Sequence, residues 1–486
     1  MKRKVLFLLA ALLLPAAASA YDACINGIYY NIVKKARQAT VTYGESKSGT
    51  YSGNVNIPAT VEYDGVTCNV IAIGEYAFSG CTLSSLTIPA SISTIESYAF
   101  SSINQLHIND LAAWCGIQIG MDGGDNPIAH ADHLYVNGKE VTDLVIPDGV
   151  KIINAFAFYR AKMLKTITIP GSVTEIGDYA FDTNYQGNLF DYDKVTIDNR
   201  NLVAISDNAF RANIEELHIT DLAAWCSNVR FYNDLLWENY GADRAYQYNN
   251  PLETSEKFFV NGKEIKDLVI PDGVATITPF AFYGAKMLTA VSIPNSVTTI
   301  GTCAFYDCTA IEKANIPDRV VMIDRVFYGC NSLKNLTIGR GVSKMIGVLG
   351  TYKGQICLES LENIFISDLT KFCKMVIAQR SVSSHDPFAR MPPKQTTIKA
   401  NSNNVKTRLF LNGQEVKNLV VPTDVFDTTK DMVTFYNSGR PFYYICDALY
   451  GIASLESVTI PEKTVPEGIN CHICGGHPGG FNNCPI

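Results

Sequence analysis

The strongest constraint on this chain is internal repetition. Leu268 to Phe305 reads LVIPDGVATITPFAFYGAKMLTAVSIPNSVTTIGTCAF, one phrase written twice. Each copy has a short apolar run ending in Ile-Pro, a small polar turn, a Val-x-x-Ile step and Ala-Phe. Pro271 and Pro294 are 23 residues apart, and so are Phe282 and Phe305. A fixed period of this length over much of a chain defines a repeat architecture, in which each unit packs only on its neighbours. The 486 residues therefore do not divide into globular domains by length. Hydrophobic content of 47% against 18% charged residues supplies a continuous core and excludes a disordered chain.

The spacing within one copy predicts its shape. In Leu164-x-x-Ile167-x-Ile169 the three apolar residues point inward along a short strand, and Thr166 and Thr168 face out. Pro170 lacks an N–H and ends the strand. Val173 and Ile176 return to the core on the next side, and Ala180 and Phe181 close the coil. Each coil is then a flattened turn whose strands stack into a parallel sheet. One coil cannot bury its own faces, so stability requires the stack.

Ile167 to Phe181, ITIPGSVTEIGDYAF, resembles the leucine-rich repeat family and specifically its BspA-like class. That class is marked by units of about 23 residues of the form L-x-x-I-x-I-P-x-S-V-x-x-I-G-x-x-A-F. The resemblance covers most of residues 70 to 465. It implies a leucine-rich-repeat solenoid with stacked parallel β-strands, short helical or turn segments on the other side and an N-terminal β cap. It also implies a surface protein of a host-associated anaerobic bacterium, linked to adhesion and matrix-protein binding.

The chain order is a signal peptide at 1–20, a β-rich cap at 21–70, the array at 71–465 and a tail at 466–486. Lys2, Arg3 and Lys4, the apolar run Val5 to Leu14 and Ala18-Ser19-Ala20 make up the signal, with Tyr21 as the mature start. Tyr21-Asp22-Ala23 before Cys24 lacks the apolar residue of a lipidation box. No later stretch is long enough to span a bilayer. The expected location is secreted or cell surface, with no transmembrane segment after signal removal. Loss of the three basic residues takes the formal charge from −7 to −10, a balance that excludes nucleic acid as partner.

Three related islands interrupt the array, near 109–143, 220–267 and 367–418. They open at Asp110-Leu111-Ala112-Ala113-Trp114-Cys115, Asp221-Leu222-Ala223-Ala224-Trp225-Cys226 and Asp368-Leu369-Thr370-Lys371-Phe372-Cys373. Each Asp is placed to cap a short helix. The islands pass through Asn126-Pro127, Asn250-Pro251 and Asp386-Pro387 and close at Asn137-Gly138, Asn261-Gly262 and Asn412-Gly413, the strongest short hairpin signal. Their middles differ in length and read as surface loops.

Chemistry-bearing motifs are few. No Gly-x-Ser-x-Gly elbow, His-Glu-x-x-His helix or phosphate loop occurs, so no enzyme activity and no cofactor is expected. All 14 cysteines lie beyond residue 20. Cys81, Cys308 and Cys330 each fall three residues after the repeat Phe, a place for a small buried thiol. Cys115, Cys226 and Cys373 read as thiols packed on the coil, because a reactive thiol needs an identifiable polar setting. His130 and His133 read as loop histidines. The tail residues Cys471, Cys474, His477 and Cys484 could pair as disulfides, ligate zinc or belong to a disordered segment.

The informative surface is the outward side of the strands. The candidate binding residues there are Thr87, Thr166, Thr168, His218, Ser292, Asn315, Thr337 and Phe365. This neutral, hydroxyl-rich stripe suits hydrogen bonding to peptide or glycan, or is simply solvated sheet. The expected function is a non-enzymatic adhesin or protein-binding scaffold that engages a protein ligand on host or neighbouring cells. The alternative is glycan capture by an aromatic island of Trp237, Tyr240, Tyr246 and Tyr248.

Overall fold

The computed structural model describes residues 21–120, 125–184, 189–231, 250–346, 351–352, 355–356, 360–372 and 407–420, and short strands at 435–437, 440–443, 457–459 and 470–471. Two compact units emerge: Met1–Val141 with Ala157–Tyr159, and Thr142–Phe156 with Arg160–Ile486. Both are parallel β-solenoids. The first twenty residues, Trp237, Tyr240, Tyr246, Tyr248, Cys373, Cys474, His477 and Cys484 lie outside the described residues. Cys471 is described only as backbone in the strand Asn470–Cys471.

In the first unit, Ala23–Ile25, Ile28–Val33 and Gln38–Thr42 form an antiparallel meander. Thr60–Tyr63 and Val66–Ile73 form a hairpin around Asp64 and Gly65, both with positive φ. Gln38–Thr42 then pairs in parallel with Val66–Ile73, and Ser52–Asn56 with Thr82–Ile88. Parallel stacking thus begins inside residues 21–70. The main sheet continues through Ser102–Ile108 to Ala131–Val136 and is closed by the antiparallel strand Lys139–Glu140.

The second unit repeats the plan. One sheet runs from Asp143–Val145 through Thr166–Ile169, Asp191–Ile197 and Asn213–Ile219 to Ser255–Val260, closed by Lys263–Glu264. Another runs from Asp267–Val269 through Ala290–Ser292, Lys313–Ile316, Asn335–Ile338 and Asn363–Ile366 to Arg408–Leu411, closed by Gln414–Glu415. The island hairpins are therefore full rungs of the sheets, and each ends its sheet. Among the described residues, helix is confined to island segments such as Leu111–Cys115 and Leu222–Ser227 and to short 3-10 turns. The reverse side of the coils carries two-residue parallel strands, such as Glu175–Ile176 on Ala204–Ile205.

The inward residues of one coil, Leu164, Ile167, Ile169, Val173, Ile176, Ala180 and Phe181, are all buried. Burying each large aliphatic or aromatic side chain contributes about 1.5–3 kcal/mol. The repeat Phe forms a stacked ladder: Phe282 and Phe305 have centroids 5.1 Å apart, and Phe305 and Phe327 5.6 Å. Beneath the rings runs a backbone ladder. The N–H of Phe78, Phe181, Phe282 and Phe305 donates to the carbonyl of Ala99, Ala209, Ala304 and Val326 on the next coil.

That ladder fixes two motif positions. The residue two before each Phe is left-handed, at Tyr76, Tyr98, Phe156, Tyr179, Asn208, Phe280, Cys303 and Arg325. Such φ costs roughly 1–2 kcal/mol in a non-glycine residue. It turns the N–H outward along the stack, as where Tyr179 donates to Asp207 and Phe280 to Thr302. The motif Gly is needed for approach. A Cβ on Gly177 would lie 2.5 Å from the Ala155 nitrogen, and one on Gly301 2.3 Å from the Pro279 nitrogen.

The islands break the Phe ladder and repair it with side chains. Ala157 and Ala281 receive no Phe N–H. Instead the indole Nε1–H of Trp114 donates to Ala157 at 2.8 Å, and the amide of Asn126 at 3.1 Å. Trp225 and Asn250 do the same for Ala281 at 2.8 and 2.9 Å. The Asn oxygens meanwhile accept from Ile128 and Leu252, fixing the 3-10 turn that the following Pro starts.

Gly301→Ala is expected to lower stability by about 1–3 kcal/mol through overpacking, whereas Gly138→Ala, in open space, costs only the positive-φ penalty of roughly 1 kcal/mol. Urea unfolding of the two variants checks this order. Asn250→Ala, which orphans the Leu252 N–H and removes a donor from two carbonyls, should cost about 1–3 kcal/mol in the same assay; a loss below that of Gly138→Ala would refute the bridging role.

Candidate functional site

Parallel pairing sorts the outward side chains into rows. In the first unit one row runs Asn56, Thr87, His107, Tyr135. In the second unit the matching row of one sheet runs Val145, Thr168, Thr196, His218, Phe259. In the other sheet it begins Val269, Ser292 and ends Asn315, Thr337, Phe365, Phe410. Each row ends in a stacked aromatic pair. Ring centroids are 4.6 Å apart for His107 and Tyr135, 4.3 Å for His218 and Phe259, and 5.0 Å for Phe365 and Phe410. Two rows open on a Val more than half exposed, Val145 at 60% and Val269 at 64%.

The residues singled out from sequence fall into three groups. Thr168, Ser292 and Thr337 are exposed, and Thr87 is half-buried beside His107. Thr166 is half-buried and donates to Asp143 Oδ1 at 2.7 Å, an arrangement repeated by Thr289 and Asp267. Asn315 is half-buried: its amide oxygen accepts from the Ile293 N–H at 2.9 Å and its amide nitrogen donates to the Ile293 carbonyl at 2.8 Å. Its polar groups pin two coils together. His218 and Phe365 are half-buried members of the stacked pairs. His218 also meets Glu216 at 3.0 Å, and that hydrogen bond is the main cause holding the Glu216 carboxyl below its usual range.

Tyr135, Phe259 and Phe410 are not evident from the repeat pattern, because the island hairpins read as insertions in the array. Their signal is the apolar-aromatic-apolar-Asn-Gly string: Leu134-Tyr135-Val136, Phe258-Phe259-Val260 and Leu409-Phe410-Leu411. The middle residue enters the outward row once the strand is counted as a rung. The hairpin sets a Glu opposite each ring, Glu140 to Tyr135, Glu264 to Phe259 and Glu415 to Phe410. His133, expected in a loop, stands on the strand Ala131–Val136 with Nδ1 2.6 Å from Glu140.

Apart from the exposed Cys24, the described thiols are buried. Asp110 and Asp221 cap their helices by accepting from Ala113 and Ala224, which seats Cys115 and Cys226 in the core. Burial pushes the Cys115 thiol up to about 12 and that of Cys226 above its usual range. Cys308 and Cys330 are buried and donate to the carbonyls of Phe282 and Phe305 at 3.0 and 3.1 Å. Cys81 is buried too, 3.7 Å from the Ser79 carbonyl. Among the described residues no cluster of His, Cys, Asp and Glu could hold a metal ion, and no helix is long and apolar enough to cross a membrane.

Stacked coils of this form, with an aromatic ladder inside and a parallel sheet face outside, define a leucine-rich-repeat solenoid. The profile of the BspA type leucine rich repeat region matches residues 59–113, 131–236 and 253–382 in six copies. The chain belongs to that family. A leucine rich cell surface protein from Faecalibacterium prausnitzii is 23% identical, with 72% of this chain and 90% of that chain covered and a TM-score of 0.40. A leucine-rich repeat protein from Bacteroides ovatus is 19% identical over 71% and 88%, also at 0.40. The pneumococcal vaccine antigen PcpA is 16% identical over 72% and 90%, at 0.36. No curated protein matches the chain.

Raised thiol pKa values mean little thiolate at mildly alkaline pH. Alkylation of the native chain near pH 8, mapped by mass spectrometry, should therefore label the exposed Cys24 and spare Cys115, Cys226, Cys303 and Cys330 until denaturant is added. Prompt labelling of Cys226 would contradict its packing.

Proposed function

We propose that the chain is a non-enzymatic, cell-surface binding protein whose outward strand face engages a protein partner on host or neighbouring cells. The observation that carries this reading is the outward row. Three times it holds an aromatic pair half-exposed on a ladder whose backbone is fixed by parallel pairing. Rigid aromatic anchors lose little entropy on binding and are enriched in the centres of protein interfaces. Exposed Val145 and Val269 extend the same rows with apolar surface that solvation alone does not reward. Membership of a repeat family supports the scaffold part of the reading, since stacked repeats create broad continuous faces.

The test is a binding screen of the chain from Tyr21 onward against matrix proteins and glycans together. Saturable binding to a matrix protein is expected. Thr168→Lys, Ser292→Lys and Thr337→Lys combined should weaken it by at least about tenfold, with circular dichroism unaltered, because three exposed row positions would then carry bulk and charge. Binding that survives those changes, or that occurs only to glycans, would move the site off this face.

A further inference from the structure

The second unit's sheet from Asp143–Val145 to Lys263–Glu264 ends in a corner of distinct chemistry. His218 lies flat on Phe259, with ring planes within 1°. Glu264 stands directly opposite Phe259 in the closing hairpin and is exposed. Side chains opposite one another in an antiparallel pair share a face and lie within contact reach. The order ring, ring, carboxylate recurs as His107, Tyr135, Glu140 and as Phe365, Phe410, Glu415.

Charge separates this corner from the other two. The six strands of this sheet carry seven carboxylates against three lysines, none of the seven buried, for a formal −4. The sheet from Asp267–Val269 to Gln414–Glu415 carries two carboxylates and two cations, for zero. An acidic face draws a basic partner and repels an acidic one. An aromatic ring attracts a cation through its quadrupole, and a carboxylate beside it adds an ion pair. The chain already shows the first contact at the equivalent ring: the Arg408 guanidinium sits 5.4 Å from the Phe410 centroid. The internal cations near the acidic corner are weakly held. Lys266 reaches Glu264 at 3.5 Å with its own side chain 66% exposed, and Lys257 pairs with Glu215 and Glu216 at 3.0 and 3.6 Å. Exposed pairs of this kind exchange readily.

We propose that Phe259, backed by His218 and faced by Glu264, anchors a lysine or arginine side chain of a basic polypeptide segment lying along this acidic sheet. The proposal rests on the reading of the strand face as a protein-binding surface and names the chemistry of its partner. A neutral sugar gains nothing from the −4 field, which is why a basic protein is the occupant favoured.

The test uses the full chain, a fluorescent lysine-glycine repeat peptide and the same peptide acetylated on every lysine, read by anisotropy. The charged peptide should bind and the acetylated one should not. Phe259→Leu combined with Glu264→Gln should weaken binding by at least about tenfold. Glu264→Gln alone, an exposed change that leaves packing intact, should account for several-fold of that loss. Glu256→Gln removes the same charge from the same strand as Phe259 without touching the corner, and should change affinity less than about twofold. Equal losses for Glu256→Gln and Glu264→Gln would overturn the anchor, leaving only a diffuse field. So would retention of full binding by the double variant with unaltered circular dichroism. Matrix-protein binding with no binding of the cationic peptide would overturn the anchor while the protein-binding reading stands. Silence toward both would remove that reading as well.

Discussion

The structure depends on a backbone hydrogen bond between coils, from the N–H of the repeat Phe to the carbonyl of the next coil's Ala or Val. A buried amide or carbonyl left unpaired costs about 1–3 kcal/mol, so each junction between coils needs this bond or a side-chain substitute for it. The backbone bond forms only where the preceding residues swing the amide along the stack, which the left-handed residue does, and where two backbones come close, which the motif Gly permits. The strain at Tyr179 or Cys303 is thus held in place by the hydrogen bonds it enables. The Phe rings then stack because their backbones have already been brought into register.

The islands obey the same constraint by another route. A segment that lacks the Ala-Phe phrase cannot offer the Phe N–H, and the next carbonyl would be orphaned. Trp and Asn supply the donor from side chains in both islands where they are described. The helix carrying Trp114 or Trp225 is only five or six residues long, yet it is capped by Asp and carries a buried thiol right after the Trp. Its brevity fits its task, which is to aim one indole N–H.

Much of this was legible in the sequence, and the rest was hidden for identifiable reasons. Inward positions such as Ile167, Ile169 and Phe181 followed from period and alternation alone, because burial is what the pattern records. The caps at Asp110 and Asp221 followed from local chemistry, which acts over three residues. The outward row was read only in part. Thr168 and Ser292 sit in regular coils and were placed from spacing. Phe259 sits in a hairpin strand whose membership of the sheet is a long-range pairing, invisible to local pattern. Asn315 reads in the sequence as an outward-facing amide on its strand, but that amide matches the spacing of one backbone N–H and C=O on the neighbouring coil. Only the register of the stack shows that match.

The shared carbonyl has one more consequence. Trp114 and Asn126 reach Ala157 from 43 and 31 residues away, so 12 residues separate them. Trp225 and Asn250 reach Ala281 from 56 and 31, so 25 separate them. Chain length doubles between the two islands while both clasps stay the same. Closing a flexible segment twice as long costs only about 0.6 kcal/mol more. The same clasp thus closes over an intervening segment of 12 residues and over one of 25, so the two ends of an island are fixed by the indole and the amide rather than by the length of chain between them.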